Sequence, residues 1–247
     1  MEQWKQGKVL ENHHWNERLC SLRIEVELPK FKAGQFTRVA LPDGEEMLAR
    51  AYSLVNAPHE PVAEFYFNRV PGGPLSTRLH QLKAGDSVFL SRAVAGFLTL
   101  SEVPACKHLW MLATGTALGP FLSILKTEEP WDRFEKIILV HGVRSQDELT
   151  YRTFIDRLRQ QHPDKFIPIA SVTREQVSGT LHQRIPEAIR SGALEAQAGL
   201  AIDPESAHVM ICGSPAMVDE STAALQEKGL RKHRRRTPGH ISVEIYK

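Results

Sequence analysis

The chain has few cysteines, and they are scattered. Cys20, Cys106 and Cys212 are the only three in 247 residues. An odd, dispersed set argues against a disulfide framework and fits a reducing compartment. No CxxC pair or Cys/His cluster stands out in the sequence, so neither a zinc site nor an iron–sulfur cluster is expected. No apolar run approaches the length of a membrane-spanning helix. The opening MEQWKQGKVLENHHW holds no apolar stretch of signal-peptide length, so a cytoplasmic protein with no membrane association is expected. Charge of one sign is missing too: 31 basic residues stand against 29 acidic ones, a net +2 that by itself selects no partner. Internal repeats and low-complexity linkers are absent. The 42% hydrophobic content suits a soluble globular chain, long enough for one large domain or two smaller ones.

The two halves of the chain follow different patterns. Up to about residue 100, short alternating runs lie between turn signals: Leu22–Leu28, Glu64–Val70 and Asp86–Leu90. This spacing predicts an all-β antiparallel barrel or sandwich, with a short helix over Leu75–Leu82. Beyond residue 100 the runs are almost wholly apolar, as in strands buried on both faces. They lie at His108–Ala113, Lys136–His141, Phe166–Val172, His208–Cys212 and Ile241–Tyr246. Helical segments alternate with them. In one, Tyr151, Phe154, Ile155 and Leu158 form an amphipathic stripe, and Ser145 with Glu148 predicts a capping box before it. The expectation is a barrel over 1–100 and a doubly wound α/β domain with a five-stranded parallel sheet over 101–247.

Three stretches carry chemistry. RAYSLVNAP places Arg50 and Tyr52 on one face of a strand, with Ser53 turned away unless the strand bends. A guanidinium, a ring and a hydroxyl suit a ligand with a phosphate and a flat polar ring. Taken alone, the stretch is more often an edge strand with ordinary surface residues. Thr114-Gly115-Thr116-Ala117-Leu118-Gly119 follows the first apolar strand, where glycines let backbone N–H groups approach an anion. A tight structural turn accounts for it nearly as well. Arg144 stands after the second strand, where an NAD site usually has an acid, although Asp147 and Glu148 follow. Thr173-Arg174 follows the third strand, and Arg184 comes ten residues later. Forked donors there suit a 2′-phosphate and so NADP, and surface arginines on loops are the equal alternative.

Five motifs in order resemble the ferredoxin/flavodoxin–NADP reductase family, bacterial flavodoxin-type enzymes most of all. They are AGQF at Ala33–Phe36, RAYS at Arg50–Ser53, GGPLSTRL at Gly72–Leu79, ATGTALGPF at Ala113–Phe121 and CGSPAM at Cys212–Met217. The likeness runs from GKVLENHHW to PGHISVEIYK. It implies a Greek-key FAD domain over 1–100 and an NADP domain over 101–247. Arg50, with Ala51 beside it, would meet the FAD pyrophosphate, Tyr52 the isoalloxazine and Ser53 its N5 edge. Tyr66 and the Leu75–Ser76 backbone would complete that site, and Thr116 would approach it from the second domain. Arg144, Thr173, Arg174 and Arg184 would hold the 2′-phosphate and adenosine of NADP(H). Cys212 and Gly213 would lie beside the nicotinamide. Taken alone, a cysteine such as Cys212 is more often a small buried residue ending a strand.

The chain departs from the family in two places. Val243-Glu244-Ile245-Tyr246 resembles the plant-type ending, where the tyrosine covers the flavin and the glutamate lies near the nicotinamide, but Lys247 follows here. Ala117 stands where many members have glycine. The resemblance further implies hydride transfer between nicotinamide C4 and flavin N5, then single-electron reduction of a separate carrier, ferredoxin or flavodoxin. The segment KGLRKHRRR, Lys228–Arg236, would steer such an acidic carrier, though a solvated helix end explains it equally. A monomer is expected. Nucleic acid is not, because the segment lacks interleaved aromatics. The rival readings are an NAD(P)H oxidoreductase acting on free flavin and a non-enzymatic binding module.

Overall fold

A computed structural model describes residues 3–246. Its backbone contacts divide the chain into two units. One runs to Thr99 and adds Gly119–Thr127; the other comprises Leu100–Leu118 and continues from Glu128.

The first unit is built on six antiparallel strands: β1 (Trp4–His14), β2 (Leu19–Glu25), β3 (Phe36–Asp43), β4 (Glu46–Ser53), β5 (Val62–Asn68) and β6 (Ser87–Ala95). Their order, β4-β3-β6-β1-β2-β5, sets β6 between β3 and β1, a Greek-key and not an up-and-down connection. A bridge between Leu54 and Phe65 joins the chain after β4 to β5 and closes the ring. Closure removes the exposed edge that a single sheet would leave. The interior holds Leu22, Ile24, Leu54, Phe65, Leu75, Leu79 and Leu90, all nearly free of solvent. Each such side chain contributes roughly 1.5–3 kcal/mol on burial. The helix α1 (Pro74–Gln81) starts with proline in its first turn, where the missing N–H leaves no bond unmade.

Strand ends differ from the sequence expectation where a pairing partner starts or stops. The run expected to reach Leu28 ends at Glu25, because β5 begins opposite it at Val62. Conversely, β6 continues to Ala95 because Phe36 of β3 pairs with it there.

The second unit has five parallel strands: β7 (His108–Thr114), β8 (Lys136–Val143), β9 (Phe166–Val172), β10 (Ala207–Gly213) and β11 (Ile241–Ile245). Their order is β11-β10-β7-β8-β9, so the winding reverses at β7. Ligands of such sheets bind beyond the carboxyl ends of the strands at that reversal. Every residue of β10 is buried, as expected of a strand covered on both faces. After β7 in the chain come the helices α2 (Gly119–Leu125), which belongs to the first unit, and α3 (Glu129–Arg133), α4 (Arg152–Gln161), α5 (Ile185–Arg190), α6 (Ala193–Ala198) and α7 (Pro215–Glu227), which belong to the second.

Two features differ from expectation. Although α2 follows β7 in sequence, it packs with the barrel. Ser123 Oγ donates to the Asn56 carbonyl at 2.7 Å, and Lys126 Nζ lies 3.3 Å from both Glu60 and Glu64. The Ser145/Glu148 pair is not the cap of α4. Ser145 precedes a single 3₁₀ turn, Gln146–Glu148, and the helix starts only at Arg152, after Tyr151 takes a left-handed φ of 54°. The apolar stripe itself is real, with Tyr151 and Leu158 buried. Among the described residues no helix is long and apolar enough to cross a membrane.

Candidate functional site

On the barrel, the residues singled out from the sequence fall on adjoining elements. Arg50, Ala51, Tyr52 and Ser53 form the end of β4, Tyr66 is on β5, and Leu75 and Ser76 are in the first turn of α1, which lies against β4. The alternation along β4 breaks at its end: Arg50 and Ala51 are exposed, Tyr52 is half-buried and Ser53 is buried. The Tyr52 ring meets Phe67 edge-on at 6.1 Å, which fixes its plane. Burial pushes the Tyr52 hydroxyl pKa up to about 12, against the lowering pull of Arg50, so the group stays neutral. Arg50 Nη1 donates to the Ala49 carbonyl at 2.8 Å and leaves the rest of its fork outward. Tyr66 is buried. Ser76 Oγ accepts the Val70 N–H at 3.1 Å, tying the preceding turn to the helix start. The N–H groups of Leu75 and Ser76 lie in the first turn, outside the intrahelical ladder.

On the α/β unit, the residues singled out gather at the carboxyl ends of all five strands. Thr116 lies in the 3₁₀ turn Gly115–Leu118 that follows β7. Gly115 has φ +53°, open to an L-residue only under strain. Arg144 follows β8, and Thr173 and Arg174 follow β9. The ladder continues past the strands, with Thr173 N–H donating to Val143 at 3.1 Å and Arg174 N–H to Arg144 at 2.8 Å. The two arginines are thus held side by side. Among the described residues neither guanidinium makes a hydrogen bond or ion pair. Nearby acids serve the backbone instead: Glu148 accepts the Arg144 N–H at 3.0 Å and Glu175 that of Gln146 at 2.8 Å. Arg184 is set apart from this pair. It precedes α5, and its guanidinium lies 3.0 Å from Glu220 on α7.

Cys212 and Gly213 close β10, and Glu244 of β11 pairs opposite Cys212. The Tyr246 N–H donates to the Gly213 carbonyl at 2.8 Å. Lys247 lies outside the described residues. Burial first, then the Glu244 carboxylate, pushes the Cys212 thiol pKa well above its ordinary value, while a hydrogen bond with the Tyr246 side chain opposes them. Cys212 is therefore a neutral thiol and not an activated thiolate. A Cβ on Gly213 would stand 2.7 Å from Thr114 Oγ1 and 2.9 Å from Met217 Sδ, so a side chain here would force both neighbours to shift. Ala117, the departure noted above, is buried in the turn.

Two residues were not singled out from the sequence. His141 Nε2 lies 3.1 Å from the Gly115 carbonyl, and burial lowers its pKa to about 4. The neutral ring donates to that carbonyl and holds the turn after β7. Thr114 stands against Gly213 from the neighbouring strand. Only the lateral register, Ala113 opposite His141 and Ala113 opposite Cys212, brings these groups together, and no sequence spacing signals it.

The basic segment is not a helix end. The helix α7 stops at Glu227, and the chain runs back along β11, with the His233 N–H on the Ile241 carbonyl at 2.7 Å. Lys228 pairs with Glu195, and Arg235 grips Glu102 through two bonds of 2.9 and 2.7 Å. Arg231, Lys232, Arg234 and Arg236 are exposed and have no acidic partner among the described residues.

Residues 111–222 match the family model described as "Oxidoreductase NAD-binding domain". The flavodoxin/ferredoxin–NADP reductase of Escherichia coli (strain K12) is 44% identical over the full length of both chains. The ferredoxin–NADP reductase of Azotobacter vinelandii is 39% identical over 96% of this chain and 95% of that protein. Among solved structures, a ferredoxin NADP+ reductase from Neisseria gonorrhoeae with bound FAD and NADP superimposes with a TM-score of 0.93. It is 33% identical and covers 98% of each chain. On these full-length similarities, the chain belongs to the flavodoxin/ferredoxin–NADP reductase family of oxidoreductases.

Proposed function

We propose that the barrel, residues 1–100, holds FAD, that the α/β half, 101–247, holds NADP(H), and that the enzyme exchanges electrons with a small acidic one-electron carrier, ferredoxin or flavodoxin. The observation that carries this reading is the Arg144/Arg174 pair: two charged forks, held side by side beyond neighbouring strands, with no hydrogen bond or ion pair to either guanidinium among the described residues. A 2′-phosphate supplies the missing partner, and each charge-assisted hydrogen bond contributes roughly 1.5–3 kcal/mol. Thr173, next to Arg174, carries a hydroxyl that donates to the Val143 carbonyl at 3.2 Å and can accept from a ligand. Arg184, already paired with Glu220, contributes less.

The barrel residues suit a flavin dinucleotide by their donor chemistry. Arg50 offers an exposed fork to a pyrophosphate, and the Leu75 and Ser76 N–H groups at the start of α1 offer donors to the same charge. Tyr52 offers a ring face held at a fixed angle by Phe67. Ser53, with Tyr66 on the neighbouring strand, supplies hydroxyl groups to the polar ring edge. A flavin held by these residues would supply two-electron exchange with the nicotinamide and one-electron exchange with a carrier, which nicotinamide alone does not readily provide.

Hydride transfer asks the protein chiefly for position. Cys212, a neutral buried thiol, and Gly213, with no side chain, let the nicotinamide approach the end of β10. Glu244 and Tyr246 border the same strand end and set the reach of that approach. His141 is a positioning residue, holding Gly115 and with it Thr116. The four uncompensated cations of the loop after α7 supply the field that attracts an acidic carrier.

The test is NADPH-dependent reduction of purified ferredoxin and flavodoxin by the flavin-loaded enzyme, measured against free flavin as acceptor. Faster turnover with a protein carrier, weakened by salt, supports the proposal. Equal or faster turnover with free flavin supports the rival acceptor instead.

A further inference from the structure

The barrel carries a second group of side chains that the proposed cofactor sites do not use. His14 ends β1, Cys20 lies in β2 directly opposite it in the hairpin register, and His80 is near the carboxyl end of α1. One donor nitrogen of each imidazole and Cys20 Sγ all lie within 4.8 Å of one another. The two rings are 4.3 Å apart at their centroids.

This arrangement is built and not accidental. Asn12, on the same face of β1 as His14, donates its amide to the carbonyls of Leu79, His80 and Leu82 at 3.0, 3.2 and 2.9 Å. Its Oδ1 is buried with no partner among the described residues, so the clamp on the helix end beside His14 is made by the amide nitrogen alone. His80 Nε2 lies 3.1 Å from the Glu17 carbonyl. The tautomer that donates Nε2–H there leaves a lone pair on Nδ1, and such carbonyl-held rings are typical of metal-ligating histidines. A surface depression of about 790 Å³, lined by Asn12, His14, His80, Gln81, Leu82 and Lys83, gives access. His14 is exposed at its edge while Cys20 is wholly buried.

We propose that His14, Cys20 and His80 form a binding site for a thiophilic divalent first-row cation, zinc being the expected occupant. Two imidazoles and a thiolate match the tetrahedral preference of zinc, with water in the fourth position. Ligand atoms around zinc stand roughly 3.3–3.8 Å apart for bonds of about 2.0–2.3 Å, so the three side chains would draw together on binding, with the exposed His14 ring the freest to move. Burial, then His14 and Arg69, lower the His80 pKa, against the hydrogen bond to the Glu17 carbonyl. The Cys20 thiol is protonated in the free protein, and zinc displaces that proton to solvent as the Zn–S bond forms. Arg69 opposes the incoming charge, and the thiolate offsets it.

The experiment uses tag-free, flavin-loaded, full-length protein, dialysed against zinc and then against metal-free buffer. One zinc per chain should remain. Cobalt in its place should show tetrahedral bands to the red of the flavin absorption and a thiolate charge-transfer band. His14→Asn should weaken zinc retention by about tenfold or more, without changing NADPH-dependent flavin reduction. Cys20→Ser should remove the thiolate band; if that core variant does not fold, the exposed His14→Asn variant still decides. No retained zinc in the parent protein, or equal retention in His14→Asn and His80→Gln, would overturn the proposal.

Discussion

The two units display their proposed sites in opposite ways. On the barrel, Arg50 to Ser53 are consecutive residues of one strand, helped by α1 lying against it. On the α/β unit, the corresponding groups come from five strand ends, each contributing one or two residues. A site on one strand can be read as a short motif. A site on five strand ends exists only through lateral register, and its determinants are packing contacts such as Thr114 against Gly213. The barrel site should therefore fail one side chain at a time, whereas the α/β site should also fail through residues that touch no ligand.

The largest effect is expected where two unpaired charges act together. Arg144→Ala combined with Arg174→Ala should raise the KM for NADPH by roughly a hundredfold or more and leave that for NADH nearly unchanged. Arg184→Ala should change the ratio by severalfold at most, because Glu220 already holds that guanidinium. Steady-state kinetics with both nucleotides checks this, and an Arg184 effect equal to the others would break the distinction drawn between them.

Next is a pH effect confined to the α/β unit. His141 has a folded pKa of about 4 against 6.5 for the free group, because burial penalises its charge. The unfolded chain then binds more protons between these values, so stability is complete above about pH 6.5 and falls as pH drops toward 4. The loss is about 3 kcal/mol at most. His208, lowered to about 3 by burial and then by His233 and His240, adds to the same slope. Chemical denaturation across this range should show His141→Gln flattening the profile, and an unchanged slope would remove His141 as its source.

A smaller effect is expected on the barrel. Arg50→Ala should weaken FAD by roughly ten- to hundredfold, one charged contact's share, measured by flavin release on dilution. The smallest concerns the loop after α7. Arg231→Glu with Arg234→Glu should slow reduction of an acidic carrier severalfold at low salt and leave reduction of a small neutral acceptor unchanged. Persistence of the slowing at high salt would point to lost contacts and not to steering.

The same contrast governs how much was legible in the sequence. Strands β7, β8 and β10 appear as apolar runs because nearly all their residues are buried, and β9 has the expected limits Phe166–Val172. Strands β1 and β3 had no such signal. In β1 only Gly7 and Val9 are buried, since most of its residues face solvent and pairing alone keeps it extended. The RAYS segment was legible because its chemistry is local. The roles of His141 and Thr114 were not, because each depends on a neighbour some 26 to 99 positions away in the chain. The Ser145/Glu148 pair misled for a related reason: Glu148 satisfies the Arg144 N–H, which serves the loop bearing the arginine pair and not the helix. His14, Cys20 and His80 escaped notice because 60 residues separate the last two in sequence and the Asn12 clamp brings them together.

The most direct test of the central claim is the visible spectrum of the purified protein during anaerobic titration with NADPH and, separately, NADH. The account predicts flavin bands that bleach at far lower NADPH than NADH, with the preference lost in the Arg144/Arg174 double variant. Flavin bands that bleach equally with both nucleotides, or a protein that takes up no FAD, would contradict it.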